Sequence, residues 1–474
     1  MFNKNQLIDV EITDITNDGE GVGKVDGFTF FIKDTIIGDR ATVKVIKVKK
    51  NYGYARLEKL IEPSKDRIEP LCKVSRSCGG CQIQCMSYQA QLKFKENKVK
   101  NNLVRLGGFD KELIDNLMEP IIGMNEAING SPIGFGYRNK AQFPFGLDKE
   151  GNIICGFYAG RTHSIISNTD CLLGVPENKI ILEKILSWMK KYRVMPYDEI
   201  THKGIVRHAL IRKGFYSGEI MVCLVINKDD ISHKDELIDE LITVKGMNSI
   251  SLSINKNDTN VIMGDNYKTI WGSDTISDKL LGLDYNISPL SFYQVNPIQV
   301  EKLYSTAIDY ADLDGSEEVW DLCCGIGTIT LSVAKRMEEL NSRLADKMPM
   351  VHGIEIVPQA IEDAKVNAKN NNIKNVEFIC APAEEYLTEH ADSIHADVII
   401  MDPPRKGMAK EALEVVVNTA PEKIVYISCD SATLARDSRF LCDNGYELKK
   451  LRANDMFLQT VHCESVVLIT RKDK

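Results

Sequence analysis

No stretch of this 474-residue chain approaches the ~18 consecutive apolar residues that a membrane-crossing helix needs. The opening Met1-Phe-Asn-Lys-Asn-Gln6 likewise has no apolar core of the kind that marks a secretory leader. Membrane and secreted classes are therefore disfavoured, and the cytoplasm is the expected compartment. Positive charge is also scarce: 59 Lys and Arg against 67 Asp and Glu leave a net charge of −8. Averaged over the chain, that argues against contacts with nucleic-acid phosphates. The average conceals one basic segment, in which Arg40, Lys44, Lys47, Lys49, Lys50, Arg56 and Lys59 are set against the single acid Glu58. A solvated strand face is the plainer account of that segment, and an RNA contact is the functional one. Nor are the 13 cysteines spread as a disulfide framework would spread them. Cys72, Cys78, Cys81 and Cys85 are bunched, whereas Cys223, Cys380 and Cys442 stand singly in apolar surroundings, as core filling would.

A chain this long exceeds one ordinary core, so two or three domains are expected. Residues 6–61 alternate apolar and polar positions in short runs such as Leu7-Ile-Asp-Val-Glu-Ile-Thr13 and Ala41-Thr-Val-Lys-Val-Ile-Lys-Val48, with glycine turns at Gly19-Glu-Gly-Val-Gly23. That pattern predicts a small closed β-barrel of the OB type over residues 1–62. Residues 63–290 open with the cysteine bunch, continue with a helix around Tyr88 to Leu106, and turn to short strands from Tyr137 onward. This predicts a central α+β domain with an antiparallel sheet. From about 291 strands alternate with glycine turns and helices: Val319–Leu322, Val351–Ile354, Val376–Ile379, Ala396–Met401 and Lys423–Ile427 are the five expected strands. Such alternation specifies a doubly wound parallel sheet whose ligands sit at the carboxyl ends of the strands.

The chemistry lies at those ends. In Asp321-Leu-Cys-Cys-Gly-Ile-Gly-Thr328, Gly325 and Gly327 let backbone N–H groups approach a ligand at a helix N-terminus. Packing alone also produces such loops. Glu355, at the end of the second strand, is placed to accept ribose hydroxyls. No phosphate-binding Lys follows the loop, which disfavours a nucleoside triphosphate, and the third glycine of the dinucleotide fingerprint is missing. Asp402-Pro403-Pro404 ends the fourth strand as a stiff wall of exposed carbonyls; simple loop stiffening and the gripping of an exocyclic amine are its other readings. Cys429 ends the fifth strand, where Arg436 or a helix starting near Ser431 is expected to lower its pKa.

A uracil ring would explain a thiolate in that place. Its C5 is too weak a nucleophile to take a methyl group until sulfur adds at C6 and generates an enolate. A base must then remove the C5 proton, and Glu464 is the candidate, with His462 as its orienting partner. An ordinary acid on a final strand is the bland alternative.

Gln294-Val-Asn296, Asp321 to Thr328, Asp402-Pro-Pro-Arg-Lys-Gly407, Tyr426-Ile-Ser-Cys429, Thr433-Leu-Ala-Arg-Asp437 and Asp455-Met-Phe457 through Glu464 together resemble the RNA uracil-C5 methyltransferase family. The N-terminal barrel resembles the TRAM RNA-binding domain. The resemblance implies a class I S-adenosylmethionine methyltransferase domain over 291–474. It makes Cys429 the nucleophile and Glu464 the base, and assigns S-adenosylmethionine to Gln294, Glu355 and Asp402 together with the loop residues Cys323, Gly325 and Gly327. Cys323 stands where the family commonly has an aromatic residue, and Pro382 where it often has an acid, so backbone is expected to serve adenine there.

Cys72-x5-Cys78-Gly-Gly-Cys81 is similar to the iron–sulfur motif of the ribosomal branch, which implies Cys171 as fourth ligand of a [4Fe–4S] cluster; by spacing alone zinc is as good. Candidate RNA contacts are Tyr137-Arg138-Asn139-Lys140, Arg207-His208 and Arg212, and Phe143 and Phe457 are candidates to stack on a base turned out of the RNA. The function implied is methylation of uridine C5, with 23S ribosomal RNA as the expected partner and tRNA as the alternative. No membrane and no obligate protein partner is expected. A non-catalytic iron–sulfur RNA-binding protein and an amino-methylase are the readings from other classes.

Overall fold

A computed structural model describes residues 2–128, 130–160, 162–341, 349–390 and 394–472. The chain forms two compact units. One comprises residues 1–98, 157–168 and 457–462, and the other residues 99–156, 169–456 and 463–474. Among the described residues no helix is long and apolar enough to cross a membrane.

The first unit contains the expected barrel. Strands Leu7–Ile15, Gly21–Val25, Phe28–Lys33, Arg40–Val48 and Tyr52–Glu62 close in the order first, second, third, fifth, fourth. Period-two alternation turns Ile8, Val10, Ile12, Phe30, Ile32, Val43, Val45 and Ala55 inward. The lysines of the fourth strand point outward, so the basic segment lies on the barrel's outer face. Beyond the barrel, Arg67 clamps the fully buried Asp39 at 2.6 Å. A second small core of Ile36, Ile83, Met86, Phe94 and Val461 lies beside the cysteine-bearing loop.

The second unit is built on two large sheets, beside a two-stranded one of Ile276–Leu280 and Leu283–Ile287. A mixed sheet runs Tyr267–Gly272, Met247–Ile254, Ile220–Ile226, Val206–Lys213, Lys140–Leu147, Ile153–Tyr158. It is antiparallel except between Ile220–Ile226 and Met247–Ile254, whose crossover carries the helix Lys234–Leu241. The other sheet has eight strands, in the order Val376–Cys380, Val351–Glu355, Val319–Leu322, Val398–Met401, Lys423–Ser428, Glu464–Arg471, Tyr446–Asn454, Met118–Ile122. Its five expected parallel strands appear within two residues of the expected bounds. The last strand, from well before the glycine loop, joins parallel to Tyr446–Asn454 and extends the sheet at that edge.

The central strands Val319–Leu322 and Val398–Met401 are buried along their whole length, as befits a parallel sheet covered on both faces. Of the three cysteines expected in cores, Cys223 and Cys442 are buried. Cys380 is exposed instead, because it ends the edge strand Val376–Cys380.

Candidate active site

Strand order and register bring the chemistry together. Asp402 follows Val398–Met401 and Cys429 follows Lys423–Ser428, its parallel neighbour. Glu464–Arg471 runs antiparallel to the latter with Ser428 opposite Ser465, so Glu464 begins that strand beside the position of Cys429. Asp321 lies in the strand flanked by Val351–Glu355 and Val398–Met401. Four reactive side chains thus meet at one end of the sheet.

The glycine loop is held from two sides. The backbone N–H groups of Cys323 and Cys324 both donate to Ile354 O at 2.9 Å, and Gly325 N–H donates to Glu355 Oε2 at 3.2 Å. Cys323, Gly325 and Gly327 all have positive φ, of 83°, 55° and 80°. For Cys323 that conformation is strained. At Gly325 an added Cβ would meet open space, whereas at Gly327 it would press on the Phe378 ring at 3.1 Å. One glycine clears room above the loop, and the other lets the helix Thr328–Asn341 pack.

Electrostatically this end of the sheet is acidic. Asp321 is fully buried; Thr330 Oγ1 donates to its Oδ2 at 2.6 Å, and its Oδ1 has no hydrogen-bond partner. Burial, with Glu355 adding to it, pushes the Asp321 carboxyl up to about 7. Burial and then the charge of Asp321 push Asp402 to about 7 as well. Glu464 is 2% exposed with Oε2 unpartnered, and burial, then Asp402, hold its carboxyl well above the usual range. The half-buried Cys429 thiol is pushed up to about 12, by burial first and then by Glu464 and Asp402, with Arg405 acting the other way. A site that disfavours so many ionised acids is one that a bound cation relieves, and a sulfonium nucleoside is such a cation.

The expectation that Arg436 lowers the Cys429 pKa is corrected here. The cation whose charge acts on the thiol is Arg405, while Arg436 is paired with Asp437 at 2.7 Å. The helix expected near Ser431 does form, as Ser431–Asp443 capped by Asp430, yet burial outweighs it at the thiol. Gln294 is nearly buried just before Asn296, which caps the helix Pro297–Ala311.

One residue of this site carried no signal of its own in the sequence. Tyr304, buried on that helix, lies within electrostatic reach of Asp402, Asp321 and Glu464, and Thr328 Oγ1 donates to its hydroxyl at 3.4 Å.

Other expectations need correction. Phe143 is fully buried on the strand Lys140–Leu147 and offers no face to a base. Arg207 is buried, donating to Asn255 O at 3.1 Å and Asn257 O at 2.8 Å, and lies over the Tyr197 ring. Arg212 is 1% exposed and donates to Ser288 O and Ser291 O. His208 is buried, and burial followed by Arg207 lowers its pKa to about 4. These side chains brace the mixed sheet. Arg138 and Lys140 are the half-buried cations of the group. Phe457 and His462 belong to the first unit, Glu464 to the second.

The cysteines expected as metal ligands are divided between the units, Cys72, Cys78 and Cys81 in the first and Cys171 in the second. Cys72 and Cys81 line a cavity of about 280 Å³ with Arg67 and Cys85, and Cys78 Sγ accepts the Gly80 N–H at 3.4 Å. Among the described residues no group of three or more His, Cys, Asp or Glu side chains is arranged to hold a metal ion.

A doubly wound sheet with a glycine loop, and with Glu355, Asp402 and Cys429 at its carboxyl end, joined to an OB-type barrel, has the architecture of a nucleoside-cofactor methyltransferase. Comparison with known proteins gives the family. The tRNA (uracil-5-)-methyltransferase family matches residues 198–472, and the TRAM domain matches residues 2–57. An uncharacterized RNA methyltransferase of Clostridium tetani is 43% identical over 98% of this chain and 97% of its own, and one of Listeria innocua is 42% identical over 100% and 99%. The crystal structure of Pyrococcus abyssi tRNA (uracil-54, C5)-methyltransferase in complex with S-adenosyl-L-homocysteine superposes with a TM-score of 0.73 at 25% identity, covering 97% of this chain and 99% of that one. The chain belongs to the tRNA (uracil-5-)-methyltransferase family and is an RNA methyltransferase.

Proposed function

We propose that this enzyme methylates C5 of uridine in RNA, with Cys429 as nucleophile and Glu464 as base. The observation that carries the reading is the convergence of Cys429, Glu464 and Asp402, whose charges act on one another at adjacent strand ends. Glu355 and the Gly325–Gly327 loop would hold the nucleoside of S-adenosylmethionine, with Cys323, Gln294 and Asp402 around its methionine part. When bound, S-adenosylmethionine supplies an electrophilic methyl group and leaves as a neutral thioether.

The chain's own residues do the rest. The half-buried Cys429 gives its proton to solvent water, and Arg405 and the N-terminus of the helix Ser431–Asp443 favour the anion. The sulfur adds to C6, and the electron pair of the C5–C6 double bond moves onto C5 and O4. After C5 has taken the methyl group, Glu464 removes the C5 proton; that C–H electron pair restores the double bond and expels the thiolate. Burial, which holds the Glu464 carboxyl above its ordinary range, makes the carboxylate a stronger proton acceptor for this step.

Trapping is the test. RNA containing 5-fluorouridine, which has no C5 proton to lose, should give a stable covalent complex with the wild type and S-adenosylmethionine, and none with Cys429→Ala. Methylation surviving in Cys429→Ala would point to an amino-methylase, and an inert wild type to a non-catalytic RNA-binding protein.

The substrate we assign is 23S ribosomal RNA, on the likeness of the cysteine motif and barrel to the ribosomal branch. The Pyrococcus abyssi neighbour favours tRNA as the second reading. Methylation of unmodified transcripts of both RNAs separates them. Cytoplasmic placement goes with either substrate. We further assign the three regions 1–62, 63–290 and 291–474 to RNA binding, support and methyl transfer. Cys72, Cys78, Cys81 and Cys171 we assign to a [4Fe–4S] cluster, on sequence likeness and on the cavity that Cys72 and Cys81 share. Iron, sulfide and zinc analysis of anaerobically purified protein tests that assignment: metal-free or zinc-loaded protein would reject it.

A further inference from the structure

The loop that follows Asp402 is gripped by the helix that follows Cys429. Thr433 Oγ1 donates to Arg405 O at 3.4 Å. Arg436 Nη2 donates to Lys406 O at 3.1 Å and to Met408 O at 3.0 Å. Asp437, 0% exposed, is the hub: its Oδ2 accepts the Tyr426 hydroxyl at 2.6 Å and the Met408 N–H at 2.9 Å, and its Oδ1 accepts Arg436 Nε at 2.7 Å. The grip is close enough to need a glycine. Gly407 has φ of 73°, and a Cβ there would lie 2.6 Å from both Arg436 Nη2 and Asp437 Oδ2.

A buried carboxylate with only one ionic partner is costly unless its hydrogen bonds are complete. Asp437 meets that condition by joining three places: the strand that delivers Cys429, the helix that follows it, and the loop that bears Arg405. Neither cofactor nor RNA is needed to explain its bonds, all of which are made to the chain itself. Arg405, by contrast, is exposed and acts electrostatically on both Cys429 and Glu464. Its backbone is held by Thr433 and by the carbonyls and N–H on which Arg436 and Asp437 close.

We propose that Asp437 is a positioning residue: through Tyr426, Met408 and Arg436 it locks the loop that bears Arg405 to the strand and helix flanking Cys429, and thereby holds in place the backbone of the cation whose charge acts on the thiol. The proposal deepens the reading of Cys429 as nucleophile and rests on it. It places the reactivity of the sulfur under the control of a carboxylate that never touches it.

The test uses the full chain without RNA or cofactor. The rate of Cys429 alkylation by iodoacetamide is followed by mass spectrometry of its peptide from pH 7 to 9. Arg405→Gln should slow it roughly 3- to 10-fold at pH 8, the effect of removing one nearby cation from a partly solvated thiolate. Asp437→Asn and the milder Arg436→Gln should slow it to a similar degree, and adding either to Arg405→Gln should produce little further change. Thermal melts identify variants that fold, and Arg436→Gln decides the matter if Asp437→Asn does not. Wild-type alkylation in a folded Asp437→Asn or Arg436→Gln protein would overturn the proposal, and so would a full multiplicative effect on top of Arg405→Gln. A failure of uridine methylation in the wild type would remove the functional reading while leaving this outcome to be judged on its own.

Discussion

Glu355 at the end of one strand is bonded to the glycine loop at the end of the next: Gly325 N–H donates to Oε2 at 3.2 Å, and Val357 N–H to Oε1 at 3.0 Å. Each carboxylate oxygen is thereby oriented and keeps lone pairs free for a second donor. Glu355→Ala should weaken binding of S-adenosylhomocysteine by about 10- to 100-fold, the loss of one or two hydrogen bonds to a charged group. Calorimetric titration measures it, and RNA affinity should change little.

Because the free Cys429 thiol is pushed up to about 12, only a small fraction is thiolate at neutral pH. Below that value the thiolate fraction rises tenfold per pH unit. Alkylation of Cys429 in the ligand-free enzyme should therefore accelerate by about tenfold per unit between pH 7 and 9. A plateau near pH 8 would show a thiol already ionised, and would contradict the dominance of burial.

Asp402, brought up to about 7 in the fold, is a carboxyl whose ordinary value lies near about 4. Between those values the folded chain keeps a proton that the unfolded chain has lost, so stability falls as pH rises through the window and the loss is complete above about 7. Asparagine cannot ionise. Asp402→Asn should accordingly stabilise the second unit at pH 8 by roughly 2 to 4 kcal/mol and be nearly neutral at pH 4, while abolishing or strongly lowering activity. Thermal melts at the two pH values provide the comparison; the opposite pH order would rule the account out.

Glu464→Gln removes the base without removing the nucleophile. On ordinary RNA this variant should accumulate the methylated covalent adduct, visible as a protein band shifted by its RNA, with turnover lower by about 100-fold or more. Normal turnover in Glu464→Gln would transfer the base to another group.

The methyltransferase region was highly legible in the sequence, because fully buried parallel strands are written as short apolar runs between glycine turns. Asp321, Glu355, Asp402 and Cys429 each lie at or near a strand end that the sequence itself marks. The barrel was legible for the complementary reason that half-buried antiparallel strands alternate with period two. The strand Met118–Ile122 was not: five residues carry little periodicity, and only the sheet edge at Tyr446–Asn454 makes them a strand.

The candidate RNA contacts show where residue type misleads. Arg207, His208 and Arg212 read as candidate RNA contacts, yet the mixed sheet buries all three, and the two arginines donate instead to carbonyls of neighbouring turns. Burial depends on what packs over a strand, and composition does not report that.

By itself the sequence determined the class of sheet, the barrel and which side chains stand at the strand ends, since backbone conformation and side-chain chemistry are local properties. Only the tertiary structure decided their electrostatics. It set Arg405 rather than Arg436 against the thiol, Tyr304 among three carboxyls, and Asp437 behind the loop. Charges interact through space, at distances the chain reaches only after residues far apart in sequence have been folded onto one strand end.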